Sequence, residues 1–172
     1  EQYRPFDFRY SFYTGKSKGI VAYPRQIVSK HIIGKDNHCL CLMRQFFQDA
    51  EFSHTLYSNK MIDERTMYSN RGGTYVFPLY IYPENNTQQT IDNDKIRTPN
   101  LNLEIVNIIA TKINYLFIED ENIICDLPAG YDGHFSPLDI LDYIYSILHS
   151  PAYRKKNKEF LKIDFPRVPY PK

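Results

Sequence analysis

Two periodicities divide the chain. Up to Tyr82 apolar residues come in short runs or at every second position, and after Pro99 they recur at helical spacing. Phe8 to Tyr13 and Ile20 to Tyr23 are rich in β-branched and aromatic residues and flank Gly-Lys-Ser-Lys-Gly, which predicts a β-hairpin with a basic tip. Pro24 suits a helix start, with Ile27, Val28, His31 and Ile32 on one side and Gly34 as the stop. From His38 to Phe46, Cys39, Cys41 and Met43 alternate with Leu40, Leu42 and Arg44, a buried strand. Phe52 to Tyr57 and Tyr75 to Tyr82 predict two more, and Pro78 marks the latter as an edge or a bulge.

Glu84 to Asp94 is polar and reads as a loop or linker. Leu101, Ile105, Ile108, Ile109, Ile113 and Leu116 then predict a first long helix. Leu138 to Leu148 is a second, launched by Ser136-Pro137 with Asp139 near its positive end. It carries two apolar stripes, Leu138/Leu141/Tyr145/Leu148 and Ile140/Tyr143/Ile147, so it is buried or meets another domain. Ser150 and Pro151 start a third helix that runs to about Ile163, and Pro166 ends any continuation, which makes a helical hairpin. The expected class is α+β: a mixed β-sheet N-terminal part and a C-terminal helical part ending in that hairpin. The expected organisation is a β-rich lobe at 1–83, a polar loop or linker at 84–98, and a helical lobe at 99–172 packing on the first.

Composition sharpens this picture. With 172 residues and 42% hydrophobic content the chain can bury a real core. Fifteen Tyr and eleven Phe, with no Trp, favour a binding surface where rings pack at one end and meet water or a partner at the other. Net charge is only +1, against a simple polycation, yet Glu1 to Lys35 holds seven basic residues against two acidic ones. Glu119 to Asp142 has seven acidic residues and no Lys or Arg. Cys39, Cys41 and Cys125 form no disulfide or zinc pattern and are expected as free thiols in a reducing, cytoplasmic setting. No signal peptide or membrane-length apolar run occurs, and the chain begins without methionine in mid-pattern, as expected of a segment of a longer polypeptide.

The catalytic signatures fail in turn. Thr14-Gly15-Lys16-Ser17 resembles the end of a phosphate-binding loop, but Tyr10 stands where the first glycine is needed. No G-x-G-x-x-G occurs, no lysine follows an acid by two residues as in many metal-dependent nucleases, and no histidine has triad spacing to a nucleophile. Ser136-Pro137-Leu138-Asp139 lacks the second proline and the aromatic of an amino-methyltransferase loop and reads as a helix cap.

An ordered series of segments spans almost the whole chain: Tyr3-Arg-Pro-Phe-Asp7 with Arg9 and Tyr13, Pro24-Arg25, Tyr75 to Tyr82, Asp142 to Arg154, and Asp164-Phe-Pro-Arg-Val-Pro169. The series resembles the C-terminal specificity (target-recognition) domain of type ISP and related type IIG restriction-modification enzymes. That resemblance implies sequence-specific reading of double-stranded DNA by a chain with no catalytic constellation and no cofactor of its own. It implies a parent polypeptide that includes an adenine N6-methyltransferase domain as partner, with S-adenosylmethionine and Mg²⁺ belonging to the parent, and no membrane. On this reading the DNA-binding candidates are Arg9, Lys16, Lys18, Arg25, Gln26, Lys30, His31, Asn70 and Arg71. Arg reads guanine bidentately and Asn or Gln reads adenine, so Arg25, Gln26, Asn70 and Arg71 are the better base readers and the hairpin lysines better suit phosphate. Two alternatives stand beside it: a protein-docking module of a larger enzyme with no DNA contact, and an autonomous hydrolase, which the missing constellations disfavour.

Overall fold

Alternate residues of one strand feed two different cores. In the computed structural model, which describes residues 1–16, 24–45, 51–67, 72–83, 97–123 and 125–171, β3 (Cys39–Leu42) lies between β4 (Thr55–Ser58) and β5 (Tyr75–Pro78) in an antiparallel sheet. Leu40 and Leu42 point to a cluster with Phe52, Leu79, Tyr80 and Tyr82, completed by Leu141, Leu148 and Leu161 from the C-terminal helices. Cys39, Cys41 and Met43 point the other way, onto Ile32 and Met67. Both faces of β3 are therefore covered, which is why it reads as an unbroken apolar run. The placement of Pro78 on an edge strand matches its missing N–H.

Around this sheet stand short paired elements. β1 (Gln2–Arg4) and β2 (Asp7–Phe8) form a hairpin, followed by α1 (Gln26–Ser29), whose turns continue to Gly34 at φ 67. The expected strand from Phe8 to Tyr13 is absent beyond Phe8: Arg9 to Thr14 carry no strand, and the second arm, 20–23, lies outside the described residues. β6 (Tyr80–Ile81) pairs with β7 (Thr98–Pro99), and most of the polar 84–98 segment lies outside the described residues.

α2 (Leu103–Ile113) begins on Asn102, whose side chain accepts from Glu104 N and Ile105 N, and stops at Asn114 in the left-handed region at φ 55. The helix was expected to reach Leu116. Instead the chain turns into β8 (Tyr115–Phe117), which pairs in parallel with β9 (Gly133–Phe135), two strands the sequence did not announce. α3 (Pro137–His149) opens on a reciprocal capping box between Ser136 and Asp139. The expected third helix divides at Asn157 into α4 (Pro151–Lys156) and α5 (Lys158–Leu161), and the Asn157 side-chain amide donates back to Tyr153 O at 2.9 Å.

The Asp164 to Pro169 segment clasps the helices to the sheet. Phe165 sits edge-on between Tyr75 and Phe77, at ring separations of 5.1 and 5.7 Å. Arg44 pairs with Asp164 at 3.1 Å, Tyr153 donates to Arg167 O at 2.8 Å, and Tyr143 donates to Pro169 O at 3.0 Å. The second stripe of α3 thus meets the chain's own C-terminal segment and α2 across an apolar groove of about 200 Å³.

Candidate nucleic-acid interface

Several basic residues of the N-terminal segment stand on the β1–β2 hairpin and around α1. Within the β1–β2 hairpin the Tyr3 ring takes two guanidinium groups, Arg4 at 4.0 Å and Arg9 at 4.2 Å from its centroid. Each is also ion-paired: Arg9 with Asp7 at 2.9 Å, and Arg4 with Asp63 at 3.7 Å. Arg4 and Asp7 are cross-strand neighbours, and Arg4 also donates to Tyr3 O at 2.7 Å.

Pro24 is held by two hydroxyls, Tyr13 Oη donating to its carbonyl at 2.6 Å and Ser29 Oγ at 3.1 Å. Arg25 follows in the left-handed region at φ 44, a conformation a bulky side chain adopts only when its surroundings impose it. Gln26 lies against Gly15, where a Cβ would come 3.3 Å from the Gln26 Cδ, so the Gly15-Lys16 turn and the α1 start form one surface. Beside it opens a cleft of about 360 Å³, lined in part by Tyr13, Arg25, Ile32, Glu64, Arg65 and Tyr75. Arg25 reaches across its mouth to Glu64 at 3.7 Å, both side chains about half exposed.

The structure thus brings Lys16, Arg25 and Gln26 together, with Arg9 on the neighbouring hairpin; all four are exposed. Lys30 is half-buried. His31 is only 6% exposed and its Nδ1 accepts from Tyr82 N at 3.1 Å, so it braces the interior. Lys18, Asn70 and Arg71 lie outside the described residues. Basic residues of the C-terminal helices are engaged within the chain: Arg154 donates to Leu148 O at 2.6 Å and Lys162 pairs with Glu159 at 3.0 Å.

Sequence reasoning missed a second polar centre. Arg97, its side chain 5% exposed, forks onto Asp120 at 2.7 and 2.9 Å, reaches Glu121 at 3.0 Å and Asp36 O at 3.0 Å, and stacks 3.9 Å over Tyr80. Tyr80 donates its hydroxyl to Glu121. The guanidinium holds the Asp120 carboxyl down at about 2. Burial, then the Glu121 carboxylate, pushes the Tyr80 phenol up. Nearby Asn37, 1% exposed, donates to His31 O and Tyr80 O, both at 2.8 Å, and accepts from His38 N at 2.9 Å and Tyr80 N at 3.0 Å. With every group paired internally this centre braces β6 against the 119–121 turn. No sequence pattern marks it, since Asn37, Arg97 and Asp120 are brought together only by the fold. Cys39 and Cys41 are buried thiols, Cys39 raised to about 12 by burial and Cys41 raised further. Among the described residues no cluster of His, Cys, Asp or Glu could hold a metal, and no helix is long and apolar enough to cross a membrane.

The chain is α+β, with Lys16 and Arg25 exposed and Arg25 lining a cleft, apart from the buried polar brace. It belongs to the Type ISP C-terminal specificity domain family, whose model matches residues 1–172, the whole chain. Domains of this family supply target recognition in restriction-modification enzymes and are in general not the catalytic component. Searches of curated proteins and of solved structures each returned no match.

Proposed function

We propose that the chain reads a specific sequence in double-stranded DNA through the face formed by the β1–β2 hairpin, the Gly15-Lys16 turn and the start of α1. The whole-chain family match is the observation that carries this reading. The geometry supports a division of labour on that face. Lys16 is an exposed point charge on a glycine turn, suited to phosphate, which can be held from many directions. Arg25 is fixed by its left-handed backbone and by the two hydroxyls on Pro24, suited to a planar fork that must meet one base edge. Methylation and cleavage belong to other domains of the parent polypeptide, an adenine N6-methyltransferase among them, and S-adenosylmethionine and Mg²⁺ serve those domains.

The experiment is a pair of salt titrations on cognate and scrambled duplexes for Lys16→Ala and Arg25→Ala in the full enzyme. Lys16→Ala weakens both duplexes alike and lowers the salt slope by about one unit. Arg25→Ala costs about 1–3 kcal/mol on the cognate duplex and little on the scrambled one. An equal loss on both duplexes for Arg25→Ala makes it a phosphate clamp and removes the α1 start from base reading.

A second reading, docking onto another protein domain, has one observation in its favour: Phe6, Phe8, Tyr10 and Phe12 are all largely exposed. Such a run of rings suits a protein interface. Binding of the intact enzyme to DNA that is indifferent to Lys16, Arg25 and Arg9 would favour it.

A further inference from the structure

The partner of Arg25 is more than a counter-ion. Glu64 is set in a turn that is tied down on three sides. Asp63 N donates to Gln2 O at 3.1 Å, Thr66 N donates to Asp63 O at 3.1 Å, and Thr74 N donates to Glu64 O at 2.9 Å. The Thr66 hydroxyl adds a bond to Gln2 O at 2.8 Å. Its side chain then lies against Gly73: a Cβ at that position would fall 2.6 Å from Glu64 Cγ and 2.9 Å from Oε1. A side chain at 73 would force the Glu64 side chain to shift, so the glycine leaves room for its present position.

A carboxylate at that place is poorly chosen for gripping DNA. It cancels the charge of Arg25, so the pair attracts phosphate little and releases few counterions. What the pair retains is direction: a fork of donors from Arg25 and two acceptor oxygens from Glu64, side by side and each about half exposed. In the major groove guanine offers two acceptors and its partner cytosine offers an amino donor, the complement of that pair.

Resting on the DNA-reading function proposed above, we infer that Glu64 is a specificity-determining residue that accepts a hydrogen bond from the 4-amino group of a cytosine, while Arg25 addresses the guanine of the same base pair. The carboxylate also rejects alternatives: thymine or guanine at the cytosine position would set an acceptor oxygen against it, and a mispositioned phosphate would meet its negative charge.

The test is selection from a pool of duplexes with a randomised central segment by the full enzyme carrying the wild-type chain, Glu64→Ala or Glu64→Gln, with a thermal melt of each. The wild type enriches a sequence with a cytosine–guanine pair at one position; that preference weakens for Glu64→Ala, where Arg25 alone still reads the guanine, and comes to admit adenine at the cytosine position for Glu64→Gln, since an amide reads adenine. The other positions keep their bases. Replacing that cytosine by 2-pyrimidinone, which lacks the 4-amino group, weakens wild-type binding about tenfold or more and leaves Glu64→Ala unchanged. If Glu64→Ala melts too low to test, Glu64→Gln decides. An unchanged enriched sequence for Glu64→Gln, or an equal loss at every position, overturns the assignment while leaving DNA reading intact. A wild type that enriches no sequence overturns the DNA-reading function itself, and the assignment with it.

Discussion

Replacing Arg97 by Met keeps most of the stem that covers Tyr80 and removes the fork that holds Asp120 and Glu121. Breaking a buried ion pair by deleting one partner costs about 3–5 kcal/mol, and the lower end applies because both carboxylates are 24% exposed and water can reach them. The carboxyl of Asp120 gives an independent figure. Its descent from 3.8 to about 2 corresponds to about 2 kcal/mol at neutral pH. The folded value lies below the unfolded one, so this stabilisation is fully present above about pH 4 and is lost as pH falls toward 2. Urea unfolding of the full chain at pH 7 should therefore place Arg97→Met about 3 kcal/mol below the wild type, a midpoint shift of about 1.5 M at a slope near 2 kcal/mol/M. At pH 2.5 the gap should shrink to about half. A gap that is constant between pH 7 and pH 2.5 would refute the claim that the Asp120 charge is what the guanidinium stabilises.

Two further outcomes follow from the core. Asn37→Ala removes one hydrogen bond from each of two carbonyls and two amides and should cost about 2–5 kcal/mol, read as a lowered denaturation midpoint, whereas an unchanged melt would mean that water replaces the amide in full. Cys39 and Cys41 should resist a thiol reagent at pH 8 in the folded chain because burial keeps them protonated and covered, while partly exposed Cys125 reacts; three thiols should react after denaturation, and rapid labelling of all three beforehand would contradict the packing around β3.

The sequence by itself determined the elements whose signals are local. The alternation at Cys39 to Met43 announces a strand covered on both faces, because side-chain direction has a strict period of two and each face found its own cluster. Ser136-Pro137 with Asp139 announces α3, because a capping box needs only three neighbouring residues. The positive segment announces where Lys16, Arg25 and Gln26 gather, since they sit within a dozen residues of one another.

What only the tertiary structure decided are matters of partnership. The aromatic alternation from Phe8 to Phe12 has strand-like spacing, but spacing cannot supply the neighbour a strand requires, and the structure leaves those rings exposed and the segment irregular. β8 and β9 are three residues each and pair across an intervening segment, so neither carries a period long enough to read. His31 sits among candidate DNA contacts in sequence, yet the fold rotates it inward, where Tyr82 N needs an acceptor. Arg97 meets Asp120, and Arg25 meets Glu64, over sequence separations that no local pattern spans. Each of these contacts depends on where the fold carries two distant backbones, and a charge gives no sign along the chain of which opposite charge it will face.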